Sequence, residues 1–520
     1  MKKFNIYILL IMMVCVCTTS CKKFLDESSQ DEIRPTTAND LAALMYSDAY
    51  PYLITVDTYT DLLTDDIQCN GPTQLTTGGN DLTMLPYLTN GSYIFTWQSN
   101  MFDNTSGVIG SSTSDLPGVN SWQIYYARIK GCNVVLDNVN NVSGTAQTKN
   151  AIMGQALFLR AFYYLKLVTL YGQPYNGAGI DPAKSLGVPL ILSSQVSDVY
   201  PARNTLAQVY SQIESDLLKA ADLLKNNYTA PSLFRVSHVA AYALLSRLYL
   251  YMGRDQDMSN VITYATNALT LNSRLTQLTT YIQSGSTFTV NSAGIYDQTL
   301  SQEVIWSYGP NPSSANTFIP GPSTPFPGLP PYMVSVSLAA MYDKGNGTTN
   351  RGDLRYYSYI LKRIVSGVSY DWTSGKIGIT QNYGSKGIRV AELYLNRAEA
   401  LIRRYKSTAN GADLAQALSD LNTLRQSRYD TRSTAYVPVS FTDPDLLFKF
   451  CQDERRRELC LEDSHRWVDI KRWGLAISHT YTDQTGSSTT YNLPSGSLIY
   501  ALPIPYDVVA RNYNLQQNPR

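Results

Sequence analysis

The residues best suited to chemistry in this 520-residue chain are few and dispersed. Three histidines, His238, His465 and His479, stand far apart, and none is paired at the spacing of metal ligands. His238 and His465 fall within helical patterns and read as surface or satisfied structural residues. Adjacent Asp65 and Asp66 invite comparison with a glycosidase acid, but a catalytic carboxylate pair is defined by separation in space. Hydrogen bonding to a sugar, or capping the adjoining loop, is the plainer reading. Asp255-x-Asp257 lacks the glycine and distal glutamate of a calcium loop and reads as a turn. No G-x-S-x-G elbow, Walker loop or dinucleotide-binding glycine pattern occurs. Neither a metal nor a cofactor is expected, nor is catalysis.

A different chemistry is written into two polar stretches. Residues 66–121 are rich in Gly, Asn, Thr and Ser, with Tyr87, Tyr93, Phe95, Trp97 and Phe102 among them. Residues 285–332 are Gly-, Pro- and Ser-rich and carry Phe288, Tyr296, Phe318, Phe326 and Tyr332. Long polar loops in a compact domain are more often functional than structural. An aromatic face can stack on the apolar face of a sugar ring while amides and carboxylates meet its hydroxyls. Trp97 is the first candidate platform, the alternative being a core tryptophan that closes a hairpin. Trp306 reads as a buried strand residue, and Trp372 stands in loop-like surroundings.

The elements that hold these loops are helical. Apolar residues at 157, 158, 161, 162 and 165 form one stripe, and the design returns over 240–251 and 390–401. Aligning Arg160, Arg247 and Arg397 superimposes the three stripes. Second amphipathic segments follow at 206–224, 261–271 and 414–424. Helix pairs with small inner residues resemble tetratricopeptide repeats, although no fixed period runs through them. An unrelated helical bundle is the alternative.

Composition narrows the partners. Lysine and arginine number 42 against 41 acidic residues, so the chain offers no electrostatic footprint for nucleic acid. Tyrosine reaches 39, and most of these are expected to pack between helices. At the start, Lys2 and Lys3 precede an apolar run from Phe4 to Val16, then Thr18, Thr19, Ser20 and Cys21. The run is shorter than the roughly 20 residues of a spanning helix and reads as a secretory signal. Cys21 then stands at the acceptor position of a bacterial lipoprotein. A chance cysteine after an ordinary signal is the alternative. Cys15 and Cys17 leave with the signal, and Cys69, Cys132, Cys451 and Cys460 remain without disulfide or zinc spacing.

Near the C-terminus the pattern becomes specific. Glu454-Arg-Arg-Arg-Glu458, Glu462, Arg466-Trp467, Asp469 and Arg472-Trp473-Gly474 resemble the hallmark helix of the SusD/RagB family. Arg389-Val-Ala-Glu392 with Asn396 and Glu399, Trp122-x-x-x-Tyr126 with Ile129 and Asn133, and Leu502-Pro-Ile-Pro505 with Gln517-Asn-Pro519 resemble other family segments. Cys21-Lys-Lys-Phe-Leu-Asp26 resembles the family's lipoprotein start, so the matches run through nearly the whole chain. The charged set reads as one amphipathic, architectural helix, with Glu462 and Arg466 as an i,i+4 pair and Cys460, Trp467, Ile470 and Gly474 on its core stripe.

The resemblance implies a mainly α fold, a tetratricopeptide-like scaffold with large irregular loop insertions and a few short strands. The implied layout is a signal peptide at 1–20, a lipidated tether at 21–36 and one domain at 37–520. Within that domain the scaffold covers about 37–65, 120–275 and 385–475, and the ligand-face insertions about 66–119 and 285–384. It also implies a lipid-anchored protein on the outer membrane of Bacteroidetes that binds oligo- or polysaccharide and closes over a SusC-like TonB-dependent transporter. Relatives of the RagB branch bind peptides instead. By position, Trp97 and Tyr93 would form the platform, Asp66 and Asn100 would meet sugar hydroxyls, and Tyr296, Phe318, Phe326 and Trp372 would supply further wall.

Overall fold

Each apolar stripe anticipated from the sequence is a helix, and the helices pack in consecutive pairs. The structure, a computed structural model, describes residues 35–52, 58–75, 77–102, 121–283, 289–290, 294–310, 318–320, 327–347, 349–376 and 383–520. The leader with Cys21, and Phe288 and Phe326, lie outside the described residues. The helices used below are α1 (Ala38–Asp48), α2 (Leu85–Phe95), α3 (Ser121–Asn138), α4 (Ala146–Tyr171), α5 (Leu206–Asn227), α6 (His238–Met252), α7 (Met258–Leu271), α8 (Val390–Thr408), α9 (Gly411–Arg428), α10 (Pro444–Leu459) and α11 (His465–Trp473).

Their starts are fixed locally. Thr145, Thr205, Ser237, Asn410 and Asp443 each cap a first turn with a side-chain oxygen, and Gln208 completes a capping box with Thr205. Helix α6 stops at Gly253, whose left-handed φ of 68° ends it without the strain a side chain would bring. Helix α4 is long and apolar enough to cross a membrane by composition, yet it is buried as the central core helix. Helices α3, α5 and α6 pack around it, and the Leu502 amide donates to its Leu170 carbonyl at 2.9 Å.

The aligned arginines prove to be the clamps of the pairs. Arg160 on α4 grips Asp216 on α5 through two bonds of 2.8 Å, and Gln212 donates to the same carboxylate at 2.9 Å. Arg397 on α8 grips Asp420 on α9 at 2.8 and 2.7 Å, and Gln416 donates to it at 2.9 Å. One Arg–Asp–Gln unit therefore recurs in two helix pairs. Arg247 on α6 instead reaches Glu392 on α8 at 2.7 and 2.6 Å, which ties one pair to the next.

Strands are short and antiparallel. β1 (Ile67–Cys69) pairs with β5 (Tyr332–Val334), and β2 (Ile282–Gln283) with β3 (Thr289–Val290). β4 (Val304–Pro310) pairs with β8 (Tyr383–Arg389), β6 (Ile360–Val365) with β7 (Val368–Ser374), and β9 (Ile477–Thr482) with β10 (Ser488–Leu493). Trp306 is a fully buried residue of β4, as its sequence context suggests.

The hallmark segment is not one helix. Helix α10 ends at Leu459 and α11 begins at His465, with left-handed φ values at Leu461 (53°), Asp463 (49°) and Ser464 (67°) between them. The expected Glu462–Arg466 pair does not form. Glu462 accepts instead from Arg389 (2.6 Å) and Lys376 (2.8 Å), while Arg466 grips Asp65. Cys460, Trp467 and Ile470 do face the core, but Gly474 is the left-handed cap of α11 and not a stripe residue.

The break serves a buried ionic network. Glu458 receives Arg355 (3.1 Å), Arg389 (2.8 Å) and Arg428 (3.0 Å), and Glu303 receives Arg389 and Arg428. All of these side chains are fully buried. Burial opposes ionisation of Glu458, but the three guanidiniums hold its carboxyl well below the ordinary range. The network is architectural. It fastens α10 to α9, β4 and β8.

Candidate functional site

The two polar insertions meet. Strands β1 and β5 come from different insertions and pair across Ile67–Val334, Gln68–Met333 and Cys69–Tyr332. Around the pairing, the Asn70 side-chain amide donates to the Pro330 carbonyl at 2.9 Å, and the Thr73 hydroxyl donates to Leu329 at 2.6 Å. The β9–β10 hairpin closes the third side, where Asn80 donates to the Gln484 carbonyl at 2.8 Å. Segments distant in sequence thus form one face on the helical scaffold.

Within the first insertion the Gly- and Asn-containing run 85–95 is helix α2, not loop. Its inner side is shaped by Gly91, where a Cβ would come within 2.5 Å of the Tyr332 ring. Tyr332 in turn donates to the Leu88 carbonyl at 2.9 Å, fixing α2 on β5. Just past the helix end, Trp97 takes a left-handed φ of 53°, a conformation that costs a residue with a side chain roughly 1–2 kcal/mol.

The surroundings compensate. The Trp97 indole lies 4.2 Å from the His479 ring at 22°, and Phe95 covers the other face of His479 at 4.1 Å and 14°. The Trp97 indole N–H donates to the Leu63 carbonyl at 3.1 Å. His479 sits with Nδ1 2.7 Å from the Phe95 carbonyl and Nε2 3.0 Å from that of Thr64. A neutral imidazole has one N–H, so only the cation satisfies both carbonyls. Burial pushes the His479 pKa down, while the two carbonyls and nearby Asp65 act against it.

These contacts correct the expectation of an open platform at Trp97. Its side chain is only 4 % exposed, because the ring is the cover of a Phe95–His479–Trp97 stack and not a free face. Nor does it close a hairpin; it follows a helix. Tyr93 stays half-buried and Asn100 exposed on the same helix end.

Asp66 is also corrected as a free hydroxyl partner. It is buried and bound by Arg456 at 2.7 Å, while Asp65 takes Arg466 through two bonds of 2.8 Å. Burial raises the Asp66 pKa. Burial acts the same way on Asp65, but Arg466 and Arg456 hold it below the ordinary value.

The expected opposite wall is inside the protein. Tyr296 is fully buried and donates to Glu462 at 2.7 Å, far into the ionic network. Phe318 is fully buried as well, and Trp372 on β7 is 4 % exposed beneath the Arg363 guanidinium. Burial in the core or against the scaffold removes the ring faces that were expected to be open. Phe326 falls outside the described residues.

His238 rests edge-on against Tyr242 and His465 is buried beside the Tyr251 hydroxyl, so the three histidines occupy separate places. Among the described residues no cluster of His, Cys, Asp and Glu is arranged to hold a metal ion. Cys69, Cys132, Cys451 and Cys460 are free thiols.

A separate recess of about 240 Å³ lies among scaffold helices, between Tyr251, Phe448 and Trp473. Its charged groups neutralise one another, with Arg472 on Glu399 and Arg403 on Asp255.

Sequence reasoning missed His479 and the two arginines that hold Asp65 and Asp66. The pairing of residues near 65 with partners near 456, 466 and 479 leaves no local periodicity to read.

Two family models match the chain. One, described as starch-binding and associating with the outer membrane, matches residues 63–250, and the other, the SusD family, matches residues 280–520. "SusD-like protein P2" of Formosa agariphila is 26% identical over 424 residues, 76% of this chain and 79% of that protein. "Starch-binding protein SusD" of Bacteroides thetaiotaomicron is 32% identical over 130 residues, 25% of this chain and 20% of that protein. Among solved structures, a putative sugar binding protein from Bacteroides vulgatus aligns with TM-score 0.65 at 24% identity, covering 94% of this chain and 99% of its own. A SusD superfamily protein from Bacteroides thetaiotaomicron aligns with TM-score 0.63 at 23% identity, covering 93% and 100%.

Proposed function

The chain belongs to the SusD/RagB family, and from that premise we propose that it is a lipid-anchored surface protein that captures oligo- or polysaccharide. It hands this ligand to a SusC-like TonB-dependent transporter in the outer membrane and catalyses nothing itself. The observation that carries the reading is the convergence of two aromatic, Gly- and Ser-rich insertions onto one face of a helix-pair scaffold. The printed names of the relatives, a starch-binding protein and a putative sugar binding protein, point the same way. Cys21 behind an apolar leader supports the anchor.

On this reading the accessible part of the site is the ledge at the end of α2. Tyr93 offers a ring face and Asn100 an amide, and the buried Trp97–His479 stack holds the ledge rigid. Asp65 and Asp66 act as tethers. Asp65 is held ionised by Arg466 and Arg456, and Asp66 lies buried on Arg456, out of reach of a glycosidic oxygen.

Affinity electrophoresis through gels containing a panel of polysaccharides tests the assignment. At least one polysaccharide retards the chain, and Tyr93→Ala weakens the retardation with unchanged circular dichroism, at a stability cost of about 1–3 kcal/mol because the ring is half-buried against the core. Retardation unaffected by Tyr93→Ala would remove the ledge from the site. Absence of retardation by every polysaccharide would transfer the function to peptide capture.

A further inference from the structure

Arg235 pairs its guanidinium with no carboxylate among the described residues. It belongs to the loop between α5 and α6 and lies across three tyrosines of α1 and the segment after it. Its guanidinium carbon is 3.5 Å from the centre of the Tyr46 ring, 5.0 Å from that of Tyr50 and 5.2 Å from that of Tyr52. Tyr50 and Tyr52 are stacked at 5.3 Å and 11°, and Tyr46 meets Tyr50 edge-on at 5.6 Å. Tyr228, at the other end of the same loop, is an electrostatic neighbour of Tyr46 and Tyr50.

The cluster is held from below. Tyr50 donates to Gln155 of α4 at 2.7 Å and accepts from the Val236 amide at 3.2 Å, which fixes the residue next to Arg235. The Gly309 amide donates to the Pro51 carbonyl at 3.1 Å, and the Ser307 amide to that of Leu233 at 2.8 Å. Both sides of the cluster are therefore bonded to β4, where that strand enters the second insertion.

Its polar atoms are unspent. The Arg235 Nη1 and the hydroxyls of Tyr52 and Tyr228 are buried and have no hydrogen-bond partner among the described residues. Buried guanidiniums elsewhere spend their N–H groups: Arg160 has Asp216, Arg247 has Glu392, Arg355 has Asp353 and Arg455 has Asp469, while Arg203 donates to backbone carbonyls. A buried donor left unmatched forfeits its hydration without return. Stacking occupies the guanidinium's face, but its N–H groups radiate in the ring plane, the direction from which a carboxylate takes two parallel bonds.

We propose that Arg235, with Tyr46, Tyr52 and Tyr228, is a carboxylate-receiving subsite, and that the captured glycan is a uronate-bearing one. The inference rests on the reading of the chain as a glycan-capture protein. The sugar carboxylate meets the half-buried Arg235 through its accessible in-plane N–H groups, while the sugar ring packs on tyrosine. An acidic side chain of a peptide has the carboxylate but no ring to use the aromatic faces.

Titration calorimetry of the full chain in detergent, at about 0.15 M salt to suppress long-range attraction, tests it. The probes are an oligogalacturonide, its methyl ester and sodium glucuronate. The free acid binds at least about tenfold more tightly than the ester, the loss expected on removing one charge-assisted contact. Arg235→Gln abolishes the difference and Arg235→Lys restores part of it, both with unchanged circular dichroism and unchanged retardation by neutral polysaccharide. Equal affinity for acid and ester, or an acid preference that survives Arg235→Gln, overturns the subsite while leaving glycan capture in place. Arg235-dependent binding of a glutamate-rich peptide but not of uronate overturns the sugar assignment. If neither acidic nor neutral polysaccharide is bound at all, the reading beneath the proposal fails with it.

Discussion

At the scale of the residue, the structure makes Trp97 a buried support, and on the proposed reading it would stiffen the ligand face without touching the ligand. Its left-handed backbone is tolerated because the indole is stacked on His479 and hydrogen-bonded to Leu63. Trp97→Ala leaves a cavity beside an imidazole whose nitrogens are committed to two carbonyls. The expected loss is about 3–5 kcal/mol, read as a fall in the midpoint of urea unfolding at unchanged m-value. A loss of glycan retention without loss of stability would instead make Trp97 a contact residue. The sequence showed an aromatic amid polar residues and pointed to an exposed ring. The alternative reading, a core tryptophan, is the one that the burial of Trp97 matches; its cover, His479, was not legible because it lies almost four hundred positions away. Asp66 was hidden likewise, since Arg456 becomes its neighbour only in three dimensions.

At the scale of the element, periodicity was a good guide where packing is local. The stripes over 157–165, 240–251 and 390–401 became α4, α6 and α8, and their aligned arginines became interhelical clamps. Periodicity failed at 460–464, where Lys376, Arg389 and Lys166 draw Glu462 and Asp463 out of the helix. It failed also at α2, whose asparagine and glycine resemble loop composition although Asn90 and Gly91 are buried. Arg389→Met strands Glu458, Glu462 and Glu303 with fewer cations, and an expected loss of about 3–5 kcal/mol follows from the uncompensated buried charge. A loss below about 1 kcal/mol in equilibrium unfolding would show the network to be dispensable.

The same elements give the fold its acid response. His465 is buried and held neutral, its pKa far below the ordinary value through burial first and the surrounding Arg247, Arg455 and lysines second. The unfolded chain binds that proton and the folded chain does not, so stability falls as pH drops through about 6.5. Burial opposes the charge on Glu462, but Arg389 and Lys376 prevail and bring its pKa down to about 2. Its contribution, about 3 kcal/mol, is whole above the unfolded value near 4.5 and is lost as pH falls from there toward 2. Urea midpoints measured from pH 8 to pH 3 are expected to fall in two stages, and His465→Gln to shrink the first, to which buried His479 also contributes. A flat profile down to pH 4 would contradict this assignment.

At the scale of the whole molecule, a scaffold of clamped helix pairs carries two insertions whose strands join, and that join makes one face from segments more than two hundred residues apart. Family membership and helical architecture were legible in the chain because the hallmark residues fill the core and the ionic network. The face made by the two insertions was legible only as composition, because its contacts join segments distant in sequence and follow no repeat.

The central claim is capture without chemistry, and one measurement addresses both halves. A polysaccharide that retards the chain is incubated with it overnight and passed over a size-exclusion column with light-scattering detection. The account predicts that protein co-elutes with a polymer of undiminished mass. Loss of polymer mass would make the chain a hydrolase and contradict the account, and separate elution of protein and polymer would deny capture.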